Sequence, residues 1–126
     1  MINMAEPKML PPVLRSQKRY IVFETLSEQP IKYEDLTNAI LGSTISFLGE
    51  LGSSEAKIWI VQNLYDPETQ RGVIKCSNDY VEHMRAVLSL ITFVGESKVV
   101  MRIIGVTGTI KSAKIKYLSK GLQKFA

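Results

Sequence analysis

Seven basic side chains, Lys98, Arg102, Lys111, Lys114, Lys116, Lys120 and Lys124, fall within the last thirty residues, and no acid stands among them. Fixed cations at this density do one kind of chemistry well: they neutralise phosphate oxygens. At 3.6 residues per turn Lys116, Lys120 and Lys124 share one side of a helix, with Ile110, Tyr117, Leu118, Leu122 and Phe125 on the other. Like charges at this spacing repel by a few tenths of a kcal/mol per pair, a cost that a polyanion removes. The first nineteen residues hold Lys8, Arg15, Lys18 and Arg19 against Glu6 alone, whereas residues 20–96 hold five bases against eleven acids. The chain therefore runs from +3 through −6 to +7, an acidic body between two positive flanks.

Covalent chemistry has far less support. His83 is the one histidine and sits in an apolar helical stretch, which suits a structural or exposed ring. Cys76 is the one cysteine and reads as a core thiol; it excludes an internal disulfide and fits a reducing compartment. Glu50 and Glu55 flank a glycine and read as loop carboxylates, and no His, Cys and carboxylate spacing suggests a metal. Gly105-Val-Thr-Gly108 leads into a helix, where backbone N–H groups can meet a phosphate, but it lacks the Walker and dinucleotide spacings. Arg71-Gly-Val-Ile-Lys75-Cys76 opens like an RNA-recognition strand, with a base and a glycine. Val73 and Lys75 then stand where stacking aromatics are wanted, so base stacking in the usual mode is not expected. Trp59 reads as a core or interface anchor.

Elements must position these groups. Lys18 to Leu26 predicts a strand, closed by Gln29 and Pro30. Leu36, Ala39, Ile40, Phe47, Leu48 and Leu51 recur at helical spacing and predict a helix over 33–51, stopped by Gly52, with Gly42-Ser-Thr44 as a weak point. Strands over 57–64 and 71–76 flank the turn signal Asp66-Pro-Glu-Thr69 and predict a hairpin. A helix over 80–94 with the stripe Val81, Met84, Val87, Leu88 and Ile91 ends at Gly95. A strand over 99–106 and a last helix over 109–123 complete the order. Strand, helix, strand, strand, helix, strand is the split βαβ pattern of an α+β, ferredoxin-like or RNA-recognition-motif two-layer sandwich with an added basic C-terminal helix. The expected division is an extended arm over 1–17, carrying Pro7, Pro11 and Pro12, a core over 18–108 and the basic helix over 109–126. Val99, Val100, Met101, Ile103, Ile104 and Val106 are apolar on both parities, so the second sheet face needs cover from the last helix or a partner protein. Trp59, Val99, Met101 and Ile103 are the expected protein-interface residues.

The chain of 126 residues suffices for one domain with a real core. Its start lacks the apolar region of a secretory signal, and its apolar runs fall short of a membrane span, so a cytosolic protein is expected, or a nuclear or nucleolar one if the source has a nucleus.

Four stretches resemble one family in order: Leu10-Pro-Pro-Val-Leu-Arg-Ser-Gln-Lys-Arg-Tyr-Ile21, Phe47-Leu-Gly-Glu-Leu-Gly52, Ala56-Lys-Ile-Trp59 and Arg102-Ile-Ile-Gly-Val-Thr-Gly-Thr-Ile-Lys111. They are similar to the small ribonuclease P protein of archaea, component 2, over roughly residues 10–119. Relatives of that family exist in eukaryotic ribonuclease P and its MRP cousin, and the short ends of this chain look archaeal. The resemblance implies a non-catalytic subunit for 5′-leader removal from precursor tRNA. It implies that the ribonuclease P RNA does the cutting with magnesium ions and that the chain binds no cofactor of its own. Implied partners are that RNA, precursor tRNA, the TIM-barrel protein component 3, the other ribonuclease P proteins and a second copy of the chain. Arg15, Lys18, Arg19, Arg102, Lys111, Lys114, Lys116, Lys120 and Lys124 are the expected RNA contacts. Two rivals predict different behaviour. A ferredoxin-like regulatory module would bind a small ligand as a tight oligomer with little RNA affinity. An enzyme using Glu50, Glu55 or His83 would turn over alone.

Overall fold

The computed structural model describes residues 18–118. The elements run β1 (Lys18–Leu26), α1 (Tyr33–Ala56), β2 (Trp59–Ile60), β3 (Arg71–Ser77), α2 (Val81–Ser89), β4 (Phe93–Val94), β5 (Ser97–Lys98), β6 (Val100–Thr107) and α3 (Ile110–Ala113), followed by a π-helical turn at Lys114–Leu118. The main sheet is ordered β2-β3-β1-β6, with every neighbouring pair antiparallel. This is the ferredoxin-like arrangement that the element order predicts.

α1 and α2 cover one face of the sheet. Ile21 and Phe23 of β1, Ile74 and Cys76 of β3, Leu36 and Ile40 of α1, and Met84, Val87 and Leu88 of α2 form one buried cluster there. Each large apolar side chain taken wholly out of water stabilises by roughly 1.5–3 kcal/mol. The polar edges of this layer are closed by two tyrosines. The Tyr33 hydroxyl donates to the Ile60 carbonyl at 2.7 Å, and the Tyr65 hydroxyl to the Ile31 carbonyl at 2.6 Å.

Several elements depart from the sequence expectation. α1 continues past Gly52 to Ala56 and ends at Lys57, which takes left-handed backbone angles. Its irregularity lies at Gly49 (φ 78°, ψ 174°) rather than at Gly42-Ser-Thr44, where the Thr44 hydroxyl instead donates to the Ile40 carbonyl. Glu50 and Glu55 are therefore helical, not loop, carboxylates. β2 keeps only Trp59 and Ile60 because a 3₁₀ turn at Gln62–Leu64 follows. α2 stops at Ser89, and Gly95 (φ +60°) turns a small hairpin, β4 against β5, at the first loop position, where such turns use glycine.

The apolar run in β6 has two causes. β6 slips register opposite Val22 and Phe23, so that Ile103 pairs with Phe23 but Gly105 pairs with Val22. The extra residue, Ile104, lets Met101, Ile103 and Val106 all meet the helix-side core although their parities differ. Ile104 itself joins a second cluster on the opposite face. Of the expected interface residues, Val99 is buried, at 3% exposure, and Met101 and Ile103 are partly buried against the helix-side core. Trp59 alone of the four stands out from the surface, 62% exposed, which also removes its reading as a core residue.

Candidate nucleic-acid interface

Sheet pairing determines what the outer face presents. The register sets Tyr20 opposite Lys75, Val22 opposite Val73 and Glu24 opposite Arg71, with Trp59 opposite Lys75 on the far side. The alternation of Arg71, Val73 and Lys75 places all three on this face. The chain after β6 returns over its middle. The Thr109 hydroxyl caps α3 by accepting from the Ser112 N–H at 3.1 Å. Ala113 is buried beside Val22 and Val73, and Tyr117 and Leu118 pack on the same cluster with Tyr20, Val61, Leu64 and Ile104. The described part of the basic segment is thus the cover that the second face needs. Lys111, Lys114 and Lys116 remain exposed on it.

An ion-pair relay ties this cover down. Glu24 accepts from Arg71 Nε at 3.2 Å and from Arg102 Nη2 at 2.5 Å, and Arg71 Nη1 donates to the Tyr117 carbonyl at 2.9 Å. The Glu24 and Arg71 side chains are only 13% and 19% exposed, so this relay is worth more than an open surface pair. Close approach does the rest: a Cβ on Gly105 would run into the Tyr117 ring.

The expected RNA contacts divide accordingly. Lys18 is exposed with outer-face register. Arg19 pairs with Cys76, which puts it on the helix side, and its Nη1 donates to the Lys18 carbonyl at 3.1 Å. Arg102 is committed to Glu24 while its side chain stays 61% exposed. Lys111, Lys114 and Lys116 lie together on the covering segment, and Arg15, Lys120 and Lys124 fall outside the described residues. Sequence reasoning missed Lys75 as a neighbour of this set and Arg71 as the anchor of the cover. The period-two spacing of the two was the available signal.

The catalytic rival finds little. His83 is exposed, its ring stacked at a tilt on Tyr80 with centroids 4.8 Å apart. The Tyr80 hydroxyl donates to Glu55 at 2.7 Å, and this bond raises its pKa. Burial pushes the Cys76 thiol up to about 11, so it is protonated and a poor nucleophile at neutral pH. Among the described residues no three His, Cys, Asp or Glu side chains gather as metal ligands, and no helix is long and apolar enough to cross a membrane. The opposite side of the molecule carries a groove of about 450 Å³ between α1 and α2, lined by Ala39, Gly42, Ser43, Phe47, Val87 and Leu90. Leu41, Ile45, Leu51 and Phe93 are also exposed.

A ferredoxin-like sheet with one face under helices and the other under a lysine-bearing segment defines an α+β domain of the RNA-recognition-motif type with a basic outer surface. Residues 19–118 match the Rpp14/Pop5 family, and the chain belongs to that family. Curated relatives agree. Ribonuclease P protein component 2 of Pyrococcus abyssi is 41% identical over 113 residues, covering 90% of this chain and 94% of that protein. The Thermococcus kodakarensis protein of the same name is 39% identical over 115 residues, covering 91% and 94%. That of Methanocaldococcus jannaschii is 38% identical over 117 residues, covering 93% and 83%. Among solved structures, a chain from the cryo-EM structure of yeast ribonuclease MRP shares the fold, with a TM-score of 0.59 at 9% identity over 86% of this chain and 91% of that one.

Proposed function

We propose that this chain is a protein subunit of archaeal ribonuclease P that supports 5′-leader removal from precursor tRNA in the cytosol by gripping the RNA backbone. The RNA subunit does the cutting with its own magnesium ions. The reading rests on family membership and on one structural observation: the lysine segment is anchored across the sheet by Arg71, Glu24 and the Gly105–Tyr117 contact. Its cations are thereby held in place rather than trailing in solvent. Lys18, Lys75, Lys111, Lys114 and Lys116 are its phosphate contacts within the described part of the chain, joined by Arg15, Arg19, Lys120 and Lys124 beyond or beside it. Contacts of this kind orient RNA and carry little sequence information. The exposed apolar residues around the α1–α2 groove suit a protein neighbour, and the TIM-barrel component 3 is the partner proposed for them.

Engaging about five phosphates gives a slope of roughly −3.5 to −4.5 in log affinity against log salt. Replacing Lys111, Lys114 and Lys116 together by Gln should flatten that slope by about 2–3. A flat response in the unaltered protein would refute the reading. So would reconstituted precursor-tRNA cleavage that the full chain and its protein partners fail to stimulate at moderate magnesium.

A further inference from the structure

Trp59, Lys75 and Tyr20 form one row across β2, β3 and β1: Trp59 stands opposite Lys75, and Lys75 opposite Tyr20. The Cβ atoms of directly opposed side chains on one face of an antiparallel sheet lie about 5 Å apart, so the two aromatics flank the stem of Lys75. Tyr20 leans on the cluster beneath the covering segment. Trp59 lies at the rim and is 62% exposed. We infer that Trp59 is a stacking platform for an unpaired base of RNA, with Lys75 and Lys18 meeting the adjoining phosphates.

The sequence placed aromatics in doubt because β3 carries Val73 and Lys75. The tertiary register supplies them from the strands on either side of β3. Charge selects the occupant. The outer-face positions of β1, β2 and β3 hold one carboxylate, Glu24, and it is taken up by Arg71 and Arg102. The row itself is neutral or cationic, Lys18 follows it along β1, and Lys57 is exposed two residues before Trp59. An indole face beside cations that pair with no carboxylate among the described residues matches a base and its phosphates, and single strands are bound by this combination of stacking and charge. Duplex RNA hides its base faces and offers only the phosphates.

The inference rests on the RNA-binding reading above, and one experiment separates the two. Trp59 is the only tryptophan of the chain, so its emission reports this site alone. The full-length protein is titrated with a fluorescently labelled single-stranded oligoadenylate of roughly ten nucleotides. A blunt RNA duplex carrying the same number of phosphates serves as the comparison. Label anisotropy reads binding, and indole emission reads stacking. The single strand should quench Trp59, and the duplex should bind without doing so. Trp59→Ala should weaken single-strand binding by about 5- to 150-fold and leave duplex binding unchanged, while Trp59→Phe retains most of the single-strand affinity. Binding with no change in emission, or an equal effect of Trp59→Ala on both ligands, overturns the stacking inference and leaves the RNA reading intact. Emission that responds to another ribonuclease P protein but not to RNA assigns the ring to a protein interface and overturns it as well. Absence of binding to either RNA overturns both readings.

Discussion

Replacing Gly105 with Ala should detach the cover of the outer sheet face while leaving the helix-side core whole. A Cβ at this position would overlap the Tyr117 ring at Cζ and the hydroxyl oxygen. Gly105 lies on the edge strand β6, where its pairing with Val22 of β1 beside the register slip holds the backbone in place, whereas the ring faces the outside of the sheet and can swing away. The ring must leave instead, and with it the closure over Val22 and Val73, both fully buried in the native state. Overpacking of this kind costs about 1–3 kcal/mol. The upper end is expected here, because the Arg71 bond to the Tyr117 carbonyl is strained by the same displacement. Each kcal/mol lowers the melting temperature of a domain this size by about 3–5 °C. Urea unfolding followed by Trp59 emission and by far-ultraviolet circular dichroism reads the effect. Gly42→Ala is the control: its Cβ meets nothing within 4 Å inside α1. It should stabilise by about 0.5–1 kcal/mol, the usual gain of alanine over glycine in a helix. In a Tyr117→Ala background the cost of Gly105→Ala should largely vanish. A Gly105→Ala protein as stable as the unaltered one, or a cost that persists without the Tyr117 ring, would refute the account of how the lysine segment is held.

Three further outcomes follow from the same structure. Cys76 has its pKa raised by burial from 9.0 to about 11, so the thiol contributes stability that is complete below pH 9, where it is protonated folded and unfolded alike. That contribution is lost as pH climbs from 9 to 11, since the unfolded thiol ionises first; Cys76→Ala should remove this part of the alkaline decline in urea midpoints. Tyr65→Phe removes the donor to the Ile31 carbonyl and should cost about 1–3 kcal/mol by the same titration, because a buried acceptor is left unpaired. Gly49→Ala has room for its Cβ but not the backbone angles, which are almost reserved to glycine. A penalty of about 1–3 kcal/mol is expected, and a neutral result would mean that α1 straightens freely at this point.

Much of this molecule is written locally. The parity of Ile21, Val22 and Phe23, the stripe of Met84, Val87, Leu88 and Ile91, and the turn at Asp66, where the carboxylate accepts from the Glu68 N–H at 2.9 Å, each follow from a few adjacent residues. Element order and therefore fold follow from them. The short elements were not legible. β4, β5 and the truncated β2 are two residues each, and periodicity has nothing to count over such lengths. The kink of α1 at Gly49 was likewise hidden, since glycine in a helical pattern does not announce which glycine yields.

The lysine segment and the segregation of charge were visible in the residues alone, because charge needs no coordinates. Met101 and Ile103 face the helix side because they pair with Thr25 and Phe23, and the slip beyond Ile103 brings Val106, of the other parity, to the same side. Glu24, Arg71 and Arg102 are separated by 46 residues or more from their partners, and Trp59, Lys75 and Tyr20 come from three different strands. Which side chains stand beside one another across a sheet is decided by pairing between distant segments. Only the closed tertiary structure, with its hydrogen-bond register, could set an aromatic on either side of a lysine.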